Sequence, residues 1–209
     1  MFIPAYYRNN DLTEIKSFIR KNSFATLITG GTDTLEASHI PIELIEQNNE
    51  EAFLQGHISR ANPQWKSFSE KRDVLVIFQG PHTYVSSSWY NHVNVPTWNY
   101  MAVHVYGKIK IIEGEELYLS LKDLVDRYEK VSENPIKVEE LPEEMMSKYM
   151  KGIVGFRIAI KKIEGKWKLS QNRDKEDHQN IIRQLEKLED VNARLVAEEM
   201  RKFIEEGNG

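Results

Sequence analysis

The sequence predicts an α+β, mainly β fold, in which antiparallel strands are flanked by peripheral helices and followed by a C-terminal helical segment. Three observations lead to it. Segments of alternating or continuously apolar residues recur from Phe24 to Leu169, as strands covered on one or both faces require. Apolar stripes at helical spacing lie between them and dominate after Asp174. The chain has 209 residues and no cysteine. It is therefore long enough to bury most of its apolar surface without staples, and disulfides, zinc-thiolate sites and a cysteine nucleophile are excluded.

Asp11 and Glu14 have capping-box spacing, and Leu12, Ile15, Phe18 and Ile19 share a face, which predicts a helix from about 11 to 21. Residues 24–29 form a β-rich run closed by Gly30 and Gly31, with 35–44 as hairpin partner and Thr32 and Asp33 in the turn. Pro41 makes that partner an edge or bulged strand. Residues 51–58 form the next strand, with Phe53, Gln55 and His57 on one face and Leu54, Gly56 and Ile58 on the other. Asn62 is a good N-cap, and Pro63 opens a short helix ending near Glu70. The continuously apolar run 74–78 belongs at the centre of the sheet. Residues 101–112 alternate, with Met101, Val103, Val105, Ile109 and Ile111 sharing a face.

Residues 115–130 form an amphipathic helix on Leu117, Leu121, Leu124, Val125 and Tyr128. A short helix over 143–150 follows, its Met145, Met146 and Met150 reading as adaptable packing rather than metal ligands. Residues 152–163 alternate again, and Glu164-Gly165 is expected to turn the chain into 166–169, a hairpin that closes the sheet. From 175 to 206 the chain is helical and charged. Its apolar stripes are Ile181, Ile182, Leu185 and Leu188, then Val191, Leu195, Val196, Met200 and Phe203, separated by Asp190 and Asn192.

Three stretches carry candidate chemistry. The first is SRANPQW: Ser59 and Arg60 precede the N-cap Asn62, so a hydroxyl, a guanidinium and free backbone N–H groups could cradle a phosphate. A surface arginine before an ordinary capped helix is the alternative. The second runs from Gln79 to Gly107 and holds two of the four tryptophans, half of the six histidines and a serine triplet. Its aromatic, amide, hydroxyl and imidazole groups suit the lining of a flat polar ligand, or else an irregular aromatic hairpin that plugs a barrel. His104 in this stretch reads as a ligand contact or as a hydrogen-bonded strand histidine. The third, Ser170 to Arg173, is a dense donor set at a strand end, or a polar loop before a helix capped by Asp174 or Asp177.

Several classes of function lack support. No Walker loop, GxGxxG, HExxH or GxSxG occurs in the sequence, which removes the motifs of phosphoryl transfer, Rossmann dinucleotide binding, zincins and α/β-hydrolases. His82, His92 and His104 match no local metal-ligand spacing. The net charge of -4 argues against nonspecific polyanion binding. From Asp174 to Glu206, ten acidic residues face six basic ones, a poor balance for lying in a DNA groove. Apolar runs too short for a bilayer and an N-terminus without a secretory pattern predict a soluble cytosolic protein with no membrane partner.

Three blocks, GHISRANPQW, VLVIFQGPHTYVSSSWY with VPTWNYMAVHVYGK, and EGKWKLSQNR, together closely resemble the PaiB family of FMN-binding negative transcriptional regulators. The resemblance runs from the N-terminus to about Leu188. It implies the split β-barrel of the flavin-reductase and pyridoxamine-phosphate-oxidase group, a six-stranded antiparallel Greek-key barrel that works as a homodimer with FMN at the subunit interface. Ser59 and Arg60 then inherit the FMN phosphate, with Asn62 as supporting cap. Ser87, Ser88 and Trp89, with Trp98 and Asn99, would line the isoalloxazine or the facing subunit, and Lys168, Gln171 and Arg173 would complete a polar wall. Gln79, His57 and His104 join this expected cofactor set. Many family members have a longer insert between SWY and VPTWNY, where this chain has only NHVN.

The expected organisation is a barrel domain over 1–173 with inserted helices and a helical appendage over 174–209, used for docking or dimerisation. The expected function is repression of protease-synthesis and sporulation genes, with DNA as a direct or indirect partner. A second class is a flavin- or haem-dependent oxidoreductase with His104 or His57 near the ring edge, but no acid-base pair at an interpretable spacing supports it.

Overall fold

The structure, a computed structural model, describes residues 1–30, 34–46 and 52–206, the side chains of 204–206 apart. Gly31, Thr32 and Asp33, expected in the first turn, and Glu51, expected to open a strand, lie outside the described residues. The strands are β1 (Arg8–Asn9), β2 (Phe24–Gly30), β3 (Leu35–Ile45), β4 (Phe53–Ser59), β5 (Asp73–Val85), β6 (Thr97–Ile112) and β7 (Ile153–Lys168). The helices are α1 (Leu12–Lys21), α2 (Gly114–Glu129), α3 (Glu143–Lys151), α4 (Lys175–Glu186) and α5 (Val191–Glu206). Strand order is β1-β7-β4-β3-β2-β5-β6, and a further β7–β6 pairing closes six strands into a ring with β1 outside it. This is the expected six-stranded split barrel.

Contacts divide the chain into two units. One comprises Met1–Phe18, Gln79–Val103 and Glu164–Gly209; the other comprises Ile19–Phe78 and His104–Ile163. In the second unit the sheet grows by antiparallel pairing of β2 with β3 and β5, β3 with β4, and β4 with β7. Leu27, Ile42, Leu54, Val76, Ile109, Phe156 and Ile158 are fully buried there. In the first unit β1 pairs with the end of β7. Trp167, Leu169, Ile181, Leu185, Val196, Ala197 and Met200 form its core, to which α4 and α5 each give one face.

Local chemistry explains most boundaries. Asp11 caps α1, its Oδ1 accepting from the N–H groups of Thr13 at 2.7 Å and Glu14 at 3.0 Å. The reciprocal half of the expected capping box is absent, because Glu14 accepts from Asn9 Nδ2 while Asp11 N–H donates to Asn9 Oδ1. Pro41 is neither a bulge nor on a permanent edge. It marks a change of partner: β3 pairs with β2 up to Pro41 and with β4 from Ile42 onward. A residue without an N–H fits where one ladder ends and the next begins.

Several expectations are corrected. The strand expected over 74–78 is longer: Gly80 and Pro81 lie inside β5, which continues to Val85. A Cβ on Gly80 would lie 2.6 Å from the Phe18 ring, so this glycine admits a neighbouring side chain rather than a turn. The turn expected at Glu164-Gly165 is absent; both residues belong to β7, which continues to Lys168. Gly165 pairs with Asn9, and a Cβ there would meet Asn9 O and Ile15 Cδ1 at 3.1 Å. Close approach to a strand from the far end of the chain explains it. Finally, the stripe of α5 is rotated: Ala193, Val196, Ala197 and Met200 are buried, whereas Val191 and Leu195 are exposed. Ile111 is likewise exposed, with Ile112 taking the buried place at the end of β6.

Candidate functional site

In the second unit, Ser59 ends β4 and the chain turns through Arg60 and Ala61 into a 3-10 turn over Pro63–Ser67. That turn is shorter than the helix expected to reach Glu70. Asn62 caps it as expected, Oδ1 accepting from Gln64 N at 3.0 Å while Nδ2 donates to Ser38 Oγ at 2.9 Å. Ser59 Oγ accepts from Ala61 N at 3.3 Å. Arg60 is exposed but engaged: Nε donates to Lys151 O and one terminal nitrogen to Ile153 O, both at 2.8 Å, at the C-terminal end of α3. A cation there meets the negative end of the helix dipole, so Arg60 has a structural use alongside any ligand. Its guanidinium also lies 5.8 Å from the centre of the Trp65 ring.

Gln64, which the sequence did not single out, is the buried hub of this turn. Its Nε2 faces Leu27 O, Thr29 Oγ1 and Glu36 O at 3.1–3.2 Å, and Oε1 accepts from Ser38 Oγ at 2.6 Å. Elsewhere in this unit His57 is half-buried on β4, and burial lowers its pKa. His104 is half-buried on β6, its ring 6.4 Å from that of Tyr106.

The first unit gathers most of the remaining candidates. Trp98 is 53% exposed at the start of β6, with the rings of His82 and Tyr84 centred 6.2 and 6.0 Å away. Gln79 Nε2 lies 3.4 Å from His82 Nδ1. Ser87, Ser88 and Trp89 form one 3-10 turn capped by Ser86, and Trp89 O accepts from Asn180 Nδ2 of α4 at 2.7 Å. Lys168 Nζ donates to Thr97 Oγ1 and to Trp98 O. Burial lowers its pKa, and the positive charges of Lys166 and Arg173 lower it further. Lys166 Nζ sits 5.1 Å from the centre of the Tyr100 ring, and the Arg173 guanidinium 4.8 Å from that of Tyr90. Three cations interleaved with tyrosine and tryptophan rings therefore share this unit.

Two expected contacts are committed to protein. Asn99 is fully buried; its Nδ2 donates to Ser170 Oγ at 3.0 Å, and its Oδ1 accepts from the same hydroxyl at 3.1 Å. Gln171 accepts from Leu169 N at 2.8 Å and donates to Trp167 O at 2.6 Å, pinning the turn in which Ser170 has φ 62°. Of the two cap candidates Asp174 caps α4, accepting from Asp177 N at 2.8 Å, and Asp177, 1% exposed in the first turn, has another role. It accepts from Asn91 N at 2.8 Å and lies 3.3 Å from His92 Nδ1, which anchors the NHVN loop. Sequence spacing offers Asp177 only as a cap, because Asn91, its partner in the loop, lies 86 residues away. Among the described residues no cluster of side chains suits a metal ion, and no helix is long and apolar enough to cross a membrane.

Residues 1–162 match the family described as "Putative FMN-binding domain". The chain is 42% identical over 200 residues, and 96% of each chain, to the Bacillus subtilis (strain 168) protein named "Protease synthase and sporulation protein PAI 2". Among solved structures it is similar to the FAD and heme binding protein from Mycobacterium smegmatis, with TM-score 0.59 and 16% identity over 78% of this chain and 73% of that one. The flavocytochrome Anf3 from Azotobacter vinelandii gives TM-score 0.58 and 16% identity over 85% and 78%. At such identities the likeness is one of fold. With the family match, the near-complete alignment to PAI 2 and the ring of six strands, the chain belongs to the PaiB-type FMN-binding split-barrel family.

Proposed function

We propose that this protein is a homodimeric, FMN-binding regulator that lowers the expression of protease-synthesis and sporulation genes. The observation that carries the reading is the 42% identity to PAI 2 across 96% of both chains. FMN, when bound, supplies a redox-active isoalloxazine ring and a phosphate. The donor chemistry present fits such a group. Arg60 beside Ser59 offers one cationic position for the phosphate, and the half-buried Lys168 with Arg173 offers another. An anion beside Lys168 would offset the repulsion it receives from Lys166 and Arg173. Exposed Trp98 supplies a stacking face. Asn62, Asn99 and Gln171 act in this reading by holding their turns, since their amides already have protein partners.

Isothermal titration of the purified protein with FMN tests the cofactor. Arg60→Ala is expected to weaken binding by roughly 1.5–3 kcal/mol, about 10- to 150-fold, if it carries the phosphate. Unchanged affinity in that variant with weakened affinity in Arg173→Ala moves the phosphate to the first unit. Trp98→Ala is expected to lower flavin affinity with little loss of stability, because half of this side chain is already in water. Absence of heat and of flavin absorbance on the protein ends the cofactor reading. Light scattering tests the dimer. Footprinting on promoters of protease and sporulation genes, with and without FMN, tests direct repression, and no protected site makes repression indirect.

A further inference from the structure

Residues of β3, β4 and α2 enclose a small pocket of about 30 Å³, lined by Glu43, Gln55, His57, Ser120, Asp123 and Arg127 among others. Three of these are more than nine-tenths buried: Glu43 and Ser120 are each 7% exposed and Gln55 is 9%. Buried polar groups need hydrogen-bond partners. Glu43 has them in Arg127 and in Tyr128 Oη, the latter at 3.0 Å. Gln55 and Ser120 are buried, His57 is half-buried and Asp123 is exposed. Four polar side chains thus line one cavity, and none of their polar atoms is sealed from water without a partner.

Size and charge define what the cavity takes. Its volume exceeds the ~10–15 Å³ that a single water needs and falls far below the ~300 Å³ of a pocket that encloses a ring system. A head group of a few atoms fits; an isoalloxazine does not. Two carboxylates, Glu43 and Asp123, against the single guanidinium of Arg127 leave one negative charge. Burial lowers the pKa of His57, which keeps its ring neutral and one nitrogen free to accept. Gln55 Oε1, Ser120 Oγ and the Asp123 carboxylate also accept. An anion would meet two carboxylates and find Arg127 already held by Glu43. A cation with several N–H donors and no acceptor is the complement.

We propose that this pocket binds a primary ammonium group presented by a small amine, with Asp123 as counter-ion and Gln55, Ser120 and His57 as hydrogen-bond acceptors. The site is independent of the flavin reading. It places His57 on an amine rather than on FMN.

Titration of the full-length protein with methylammonium chloride, followed by proton NMR of the histidine C–H resonances, tests it. The His57 signal is identified by its loss in His57→Gln. Tetramethylammonium chloride is the control for charge without N–H donors, and sodium formate the control for an anion. The expected result is a saturable shift of the His57 signal with methylammonium only. Affinity should fall at least about tenfold in Asp123→Asn, which removes the counter-ion from an exposed helix position. Gln55→Leu, close in volume, makes the same test from β4. A shift of equal size with tetramethylammonium, a saturable shift with formate instead, no saturable shift at all, or unchanged methylammonium affinity in both variants overturns the proposal.

Discussion

Lys168 is a cation held against its own preference. Because its folded pKa lies below the ordinary 10.5, the folded state releases its proton more readily than the unfolded chain. Protonated Lys168 therefore opposes folding at neutral pH, and stability rises as pH climbs from its folded pKa toward 10.5. His57 and His178 follow the same sign, both lowered from 6.5 by burial, with the Leu169 carbonyl partly restoring His178. Below 6.5 the unfolded chain binds protons that these folded rings refuse. Thermal midpoints measured from about pH 8 down to pH 5 are thus expected to fall once the pH passes 6.5, and the fall should be shallower in His178→Gln. Asp73 acts only in stronger acid. Its hydrogen bonds to Lys108 and Lys161 lower its pKa below 3.8, so its contribution disappears as pH falls through that lowered value.

At the scale of elements, the turn after β7 depends on one unusual residue. Ser170 holds φ 62° without being glycine, and its hydroxyl both donates to and accepts from the buried amide of Asn99. Ser170→Ala strands that amide and is expected to cost about 1–3 kcal/mol in denaturant unfolding. Ser170→Gly should be milder by about 1 kcal/mol, because glycine is unstrained at positive φ. In β6, a Cβ on Gly107 would lie 2.3 Å from Ala159 O. Gly107→Ala must push backbone apart, so a loss of at least about 1–3 kcal/mol is expected. These elements also show what was legible. Strand and helix positions are written in local periodicity, which is why β2, β3, α2 and α4 stand where the pattern puts them. Gly165 was misread because its reason, the passing of Asn9, lies at the other end of the chain. The same holds for the site: donors could be named from the sequence, but whether Asn99 or Gln171 was already bonded depended on partners that no local window contains.

At the scale of the molecule, ligand binding and stability are linked. If FMN binds the folded chain alone, FMN at a hundred times its dissociation constant should raise stability by about 2.7 kcal/mol, and the thermal midpoint should climb with further FMN. A midpoint indifferent to FMN would contradict the cofactor reading without any DNA being involved. The family was legible because long segments such as VLVIFQGPHTYVSSSWY are specific. Partner and operator were not, since the net charge of -4 carries no DNA signature that a surface patch could not reverse.

The ring of strands also has a history in time. β2 and β3 are chain neighbours, and their hairpin closes a short loop, so it can form early at small entropic cost. β1 must find the far end of β7 from the opposite end of the sequence, joining Arg8 to Lys166. Pairing of that kind is late, since the chain between has to be ordered before the contact repays its closure. During refolding followed by pulsed hydrogen exchange, the amides of β2 should be shielded before those of Arg8 and Asn9. The two-residue strand β1, outside the ring, is then the last to join the sheet and is expected to be the first to lose protection when the chain unfolds.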